Sequence, residues 1–285
     1  MFKNLKSEFL KKYFDRIGYQ GPATPTLDVL RQLHLLHPQS IPFENILPYT
    51  GQRVMLDVEA VFNKMVTNHR GGYCFEHNVL FLAVLKQIGF DVVPLVGRVR
   101  WQVPAGVETG LTHMLLRVDL SGRSWFADVA FGSTTQTAPL EFLLNHPQTT
   151  PHGIFRIVEI GSELCLEFQT NMGWQPVYRY TLEPAVEMDL EIGNWYTSTH
   201  PKSVFLNSLL ISRTQPDGRE LMVNEIYTHR DHTGQHRRYR HTDAEVWAEC
   251  LRQHFDLHLA PSEVATLFRQ VIAHSSEAAA ELMPH

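Results

Sequence analysis

The chain has 285 residues, 44% of them hydrophobic, a net charge of −5 and sixteen histidines. That is enough chain for a buried core and two or three domains, and the mild acidity gives no general attraction for nucleic acid or anionic lipid. Three cysteines, Cys74, Cys165 and Cys250, are an odd number without framework spacing and suit a reducing compartment rather than a disulfide scaffold.

From the N-terminus, Phe2, Leu5, Phe9, Leu10, Tyr13, Phe14 and Ile17 recur at helical spacing among lysines and glutamates. This predicts an amphipathic first helix, not the unbroken apolar core of a signal peptide. The longest apolar run, Val79 to Leu85, has seven residues, against about 20 for a membrane span. The expectation is a soluble, cytoplasmic protein with no membrane partner. Leu27, Leu30, Leu33 and Leu36 mark a second helix, on which His34 and His37 read as surface or satisfied polar groups rather than metal ligands. A third helix opens at Cys74 and stops at Gly89, a residue suited to a left-handed helix end.

From about residue 92 to 190 the texture changes to short strands: Val92 to Val99, Met114 to Leu120, Trp125 to Phe131, Phe155 to Ile160 and Leu164 to Phe168. Turn residues at short intervals point to an antiparallel sheet or barrel. Further on, Leu209 to Arg213 and Glu220 to Tyr227 flank the turn signal Pro216-Asp217-Gly218. Thr242-Asp243-Ala244-Glu245 is a capping-box start, and Ser262 begins a last helix. The tail from Ser275 to His285 reads as frayed. The predicted organisation is a helical domain over residues 1–91, a β domain over 92–200 and a smaller α/β domain over 201–285.

The chemistry centres on Arg70-Gly71-Gly72-Tyr73-Cys74-Phe75-Glu76-His77-Asn78. A cysteine packed as filler needs no glycines beside it. One meant to react needs backbone room, and a helix N-terminus favours its thiolate. Cys74 is therefore the candidate nucleophile, whereas Cys165 and Cys250 read as core filler. A base and an orienting acid should accompany it. Leu111 to Leu120 and Arg123 to Val129 read as a hairpin turning at Ser121-Gly122, so opposed residue numbers sum to 243. His113 then faces Ala130, and Asp128 lies on the same face, about 7–8 Å away diagonally. Asp128 stands in an otherwise apolar or small strand, where an unpartnered carboxylate would cost several kcal/mol. His113 is the partner this hairpin supplies, provided the loop has two residues. Plainer readings stay open at this point: Cys74 as core, His113 as an ordinary strand residue, Asp128 on a backbone amide or Arg123.

These segments resemble the arylamine N-acetyltransferase family. Residues 70–78 match its Arg-Gly-Gly-x-Cys-x-Glu-x-Asn pattern, Ile41-Pro42-Phe43-Glu44-Asn45 its upstream block, and Thr112-His113 its histidine segment. Asp128-Val129-Ala130-Phe131-Gly132 matches Asp-x-Gly-Phe-Gly except that Ala130 replaces a glycine, and His200 to Phe205 resembles a further short block. The resemblance implies an α+β fold with a three-domain core of the cysteine-protease-like (transglutaminase or papain) type: helical bundle, β-barrel and α/β lid. It implies a Cys74, His113, Asp128 triad that moves acetyl from acetyl-CoA to arylamines or arylhydrazines through acetyl-Cys74, and O-acetylation of N-hydroxy forms beside it. It further implies a substrate lining of Phe43, Val99, Thr112, Phe131 and Phe205, with Arg70, Gly71, Gly72, Glu76 and Asn78 in support. Gly132 and Ser203 are its CoA contacts. Acetyl-CoA is the co-substrate; no metal or prosthetic group is expected, and the assembly is a monomer or homodimer.

The rival chemistry is a transglutaminase-like amidase or hydrolase, or an amide synthase. A papain-type enzyme is disfavoured by the absent Cys-Gly-Ser-Cys-Trp signature and the short gap from Cys74 to His113. The histidine-rich stretch His229 to His241 lacks metal-ligand spacing and reads as a solvated strand and turn, with attraction of CoA phosphates through Arg237 and Arg238 as the alternative.

Overall fold

The computed structural model describes residues 2–281, with side chains described for residues 8–275. Helix α1 spans Phe2–Ile17 and α2 Leu27–Ser40, the latter started by Thr26, whose hydroxyl accepts from the Val29 N–H at 3.4 Å. A two-residue strand β1 (Phe43–Glu44) follows, then α3 (Ile46–Tyr49), α4 (Val58–Phe62) and a π-helical turn at Asn63–Thr67. Helix α5, Cys74–Ile88, is buried on nearly every side, as its continuous apolar sequence requires. It ends at Gly89, whose φ of 105° is left-handed, with the Phe90 N–H returning to Leu85 O at 3.0 Å.

Eight strands form the central sheet: β2 (Asp91–Val99), β3 (Leu111–Leu120), β4 (Arg123–Ala127), β5 (Leu140–Glu141), β6 (Gln148–Thr150), β7 (Gly153–Ile160), β8 (Glu163–Thr170) and β9 (Gly173–Tyr180). Their order is β5-β4-β3-β2-β9-β8-β7-β6. The two ends approach each other, since Leu144 bridges Ile157 and the Gln148 side chain bonds both the N–H and the C=O of Glu141. The sheet is thus a nearly closed barrel around Leu95, Leu115, Phe126, Phe155, Ile157 and Val177. The β3–β4 hairpin has the expected register, Leu120 opposite Arg123 and Leu116 opposite Ala127. Ser121 and Gly122 both have positive φ, 52° and 75°, the signature of a two-residue turn that matches strand twist.

Helices α6 (Glu187–Thr199) and α7 (Val204–Asn207) lead into the second sheet. Its strands are β10 (Leu210–Gln215), β11 (Gly218–Val223), β12 (Ile226–Asp231) and β13 (His236–Arg240), in the order β1-β10-β11-β12-β13. The edge strand β1 comes from the first 91 residues, so the helical segment contributes to the C-terminal sheet. Helices α8 (Ala244–Phe255) and α9 (Pro261–Glu281) share a core with this sheet through Trp247, Leu251, Phe255 and Leu267.

Several details depart from the sequence reading. The run Glu220 to Tyr227 is no single strand: it reverses at Asn224, φ 54°, to give the hairpin β11–β12. Strand β9 was absent from the expectation. Asp243, not Thr242, caps α8. The chain stays helical through Glu281 rather than fraying from Ser275, and residues 282–285 lie outside the described part. Among the described residues no helix is long and apolar enough to cross a membrane.

Candidate active site

Cys74 is the first residue of α5, and the extended residue before it, Tyr73, turns the chain into the helix. The Glu76 carboxylate closes that first turn by accepting from the Tyr73 N–H at 3.0 Å. Two glycines precede it for a packing reason. A Cβ on Gly71 would sit 2.1 Å from the Pro42 carbonyl oxygen, and one on Gly72 would sit 2.8 Å from Glu76 Oε2. Glu44 N–H donates to Gly72 O at 2.7 Å, so the 70–73 loop is pressed against the Pro42–Glu44 segment. This corrects the expectation that the glycines serve to give the sulfur room.

The Cys74 thiol lies against β3, with Sγ 3.8 Å from the carbonyl oxygen of Thr112. The next residue, His113, is 2% exposed, interacts electrostatically with the Cys74 thiol and directs Nε2 to Asp128 Oδ2 at 2.8 Å. With Nε2 engaged, Nδ1 is the ring nitrogen left for the thiol. Asp128 lies one residue past the end of β4, so the diagonal contact predicted across the hairpin is made from a loop position. Its Oδ1 accepts from Asn78 Nδ2 at 3.1 Å and from the Ala130 N–H at 3.0 Å. Asn78 also donates to Met114 O at 2.8 Å, tying α5, β3 and the Asp128 loop together.

Burial alone would lower the His113 pKa; the Asp128 charge, its hydrogen bond and the Cys74 thiol overturn that and raise it to about 10. Burial alone would raise Asp128, but His113, the Ala130 N–H and Asn78 hold its carboxyl below the usual range. The arrangement brings a buried thiol, an imidazole and a carboxylate together from a helix start, a strand and the loop after β4. Of the other partners expected for Asp128, a backbone amide is present beside His113, the Ala130 N–H at 3.0 Å, whereas Arg123 meets Glu141 at 3.2 Å.

A family model described as N-acetyltransferase matches residues 26–264. The arylamine N-acetyltransferase of Escherichia coli (strain K12) is 40% identical over 77% of this chain and 78% of its own. At the same 40% identity, a Salmonella typhimurium relative named arylamine N-acetyltransferase / N-hydroxyarylamine O-acetyltransferase covers 80% of this chain and 81% of its own. The Mycobacterium marinum arylamine N-acetyltransferase solved in complex with CoA superposes with a TM-score of 0.85 at 33% identity, over 93% of this chain and 97% of that one. The chain belongs to the arylamine N-acetyltransferase family.

Around Cys74, His113 and Asp128 of this family member stand several of the expected aromatic groups. The Phe131 ring is edge-on to His113 at 5.0 Å. Phe205, on α7, lies 6.0 Å from Phe43 and 5.4 Å from Tyr73. Val99 ends β2 opposite Tyr178 of β9, in the barrel wall. Gly132 has φ 78° and faces Phe43 and Ser212, where an added Cβ would be 3.9 Å from each. The Ser203 hydroxyl is engaged inside the protein, accepting from the Phe205 N–H at 3.3 Å and donating to Thr197 O, and so it positions Phe205. Arg70 pairs with Glu263 of α9 at 3.0 Å, a tie to the C-terminal helices. Ala130, in place of the family's glycine, is fully buried without positive φ, so its methyl is ordinary core. Cys165 and Cys250 are buried as expected, and burial pushes both thiols up to about 12.

Other supporting residues escaped the sequence reading. The Tyr178 ring packs 4.7 Å from His113, and the Asp128 charge, after burial, helps raise its hydroxyl pKa. Lys64 on the π-helical turn reaches Glu76 at 2.7 Å and Glu44 at 3.6 Å. Burial would lower this lysine, yet the two carboxylates raise it; Glu76 remains raised because desolvation leads. His34 and His37 are fully buried, not surface groups, and a chain runs from the Tyr13 hydroxyl to His37 and on to His77 at 2.8 Å per step. His77 Nε2 then donates to Pro42 O at 3.1 Å; a carbonyl can only accept, which orients every proton in the series. The signal available in the sequence was the i, i+3 spacing of His34 with His37 and of Cys74 with His77.

Proposed function

We propose that the protein transfers acetyl from acetyl-CoA to the nitrogen of arylamines and arylhydrazines, and to the oxygen of N-hydroxyarylamines, through acetyl-Cys74. The carrying observation is the series in which the thiol meets His113 and His113 meets Asp128 at 2.8 Å, in a chain of this family. The proton His113 takes from Cys74 makes it the buried imidazolium, which Asp128 orients and stabilises. The thiolate attacks the thioester carbonyl; the carbon–sulfur bond to CoA breaks and His113 returns the proton to the departing thiolate. The amine then attacks acetyl-Cys74, His113 accepts its proton, and amide leaves as the Cys74 thiolate is restored. Main-chain N–H groups at the start of α5 are suited to the oxyanion in both halves. Phe43, Phe131 and Phe205 exclude water, which protects the acyl-enzyme from hydrolysis.

For the CoA phosphates, Arg230 is a better placed cation than Arg237 and Arg238, which lie on the exposed edge strand β13, while Arg219 is buried. Arg230 donates to Ser133 O at 2.7 Å and Arg219 to Thr135 O at 2.7 Å, on the loop that follows Gly132. The free cysteines support a cytoplasmic location, and the assembly is taken as a monomer or homodimer.

The test is to incubate the protein with acetyl-CoA, read the acetyl group on Cys74 by intact mass, then add an arylamine and follow discharge. Acylation followed by amine-dependent discharge is expected, with none in Cys74→Ser. Absence of acyl-enzyme, or discharge by water alone, overturns the reading; the latter outcome favours a hydrolase.

A further inference from the structure

We infer that His34 is a positioning residue for acetyl transfer, a neutral imidazole that holds the main chain of Asp128 and thereby aims its carboxylate at His113. The inference rests on the triad reading above. Strand β4 pairs with β3 only as far as Ala127, so the next N–H, that of Asp128, has left the ladder while still inside the protein. A buried amide without an acceptor is costly. His34 Nε2, from α2, accepts it at 3.1 Å.

The contact dictates the state of the ring. An N–H can only donate, so Nε2 carries no proton and His34 is the neutral Nδ1–H tautomer. His34 is 0% exposed, and among the described residues its Nδ1 has no hydrogen-bond partner in another residue. The ring packs edge-on to Phe81 at 5.9 Å. Leucine, which fills Leu30 and Leu33 on the same helix, would satisfy packing there without a polar atom to desolvate. Among the described residues, the one interaction with another residue that needs a nitrogen at this position is the Asp128 amide.

The other restraints on Asp128 act on its side chain. Asn78 and the Ala130 N–H hold Oδ1, and Oδ2 is left for His113. Without His34 the peptide at Asp128 is free to turn toward another acceptor, and the carboxylate swings with it. His34 acts through Asp128, not on the reacting atoms.

The first measurement uses the unaltered protein: imidazole nitrogen NMR at neutral pH, with the His34 signals assigned by their loss in His34→Gln. An unprotonated Nε2 and protonated Nδ1 are expected; a protonated Nε2 overturns the inference. The second is single-turnover acetylation of Cys74 in His34→Leu, which lacks the acceptor, and His34→Gln, whose amide oxygen can replace Nε2. The Leu variant should acetylate about 10- to 100-fold more slowly at saturating acetyl-CoA, the size of effect expected of misaligned groups, with half-saturation unchanged. The Gln variant should recover to within about threefold of the parent rate. Parent-like acetylation in the Leu variant, or equal slowing in both, overturns the inference. Should the Leu variant not fold, the nitrogen spectrum and the Gln rate decide it. Asp128→Asn run in parallel separates the two levels: a large loss there with none in His34→Leu sinks only the role of His34, whereas normal acetylation in Asp128→Asn sinks the triad reading beneath it.

Discussion

At the scale of single residues, the candidate site depends as much on what is missing as on what reacts. Gly71 has no Cβ because the Pro42 carbonyl oxygen occupies the place where one would be, at 2.1 Å. Gly71→Ala must therefore part the 70–73 loop from Pro42–Glu44, weakening the Glu44 to Gly72 bond. We expect a loss of about 1–3 kcal/mol, the usual range for overpacking, in denaturant unfolding, with slower acetylation of Cys74. A variant with the parent midpoint would show that the loop yields freely. The candidate reactive residues were legible as candidates because their signals are local: a cysteine after two glycines, and an aspartate in an apolar run. The buried histidines were not, since one sequence cannot tell a surface histidine on α2 from one turned to the core.

Individual elements are held to one another by few but buried polar ties. Lys64 on the π-helical turn neutralises Glu44 at the end of β1 and Glu76 on α5, two carboxylates that are 0% and 1% exposed. Lys64→Met leaves both without a cation, and breaking such a buried pair costs about 3–5 kcal/mol. The variant should melt well below the parent, and Glu76→Gln added to it should recover part of the loss; no recovery would argue that the ion pair is incidental. Asn45 joins the first 91 residues to α7 and β10, donating to Phe205 O and Ser208 O at 2.9 and 2.8 Å and accepting from the Leu210 N–H at 2.6 Å. Asn45→Ala frees the segment that carries Phe205. We expect KM for the arylamine to rise several-fold while the rate of Cys74 acetylation changes little. An unchanged KM would detach Phe205 from amine binding. The strands β2, β3 and β4 were readable from alternation and turn residues. The short β1 was not, because a two-residue strand has no period and exists only where β10 lies beside it.

For the whole molecule, the buried imidazoles set opposite slopes of stability with pH. Burial keeps His34 and His77 at about 4, below the ordinary 6.5, so the unfolded chain binds more protons between those values. Their contribution is present above 6.5 and is lost as the pH falls toward 4. His113, raised to about 10, works the other way: its contribution is full below 6.5 and is lost as the pH rises through 10. The denaturant midpoint should accordingly peak near pH 6.5 and fall on both sides, and His113→Gln should flatten the alkaline fall. A midpoint that keeps rising from pH 7 to 9 would contradict the buried imidazolium. Taken alone, the sequence determined the family, the helical and β-rich stretches, and the register that brings His113 and Asp128 to one face, because these follow from ordered motifs, period and turn chemistry. Only the tertiary structure decided that Gly71 admits the Pro42–Glu44 segment, that β1 completes the C-terminal sheet, and that His34 and Asn78 converge on Asp128 while Tyr178 packs on His113. Those contacts join residues far apart in the chain, and nothing in local pattern records which distant group will satisfy a buried polar atom.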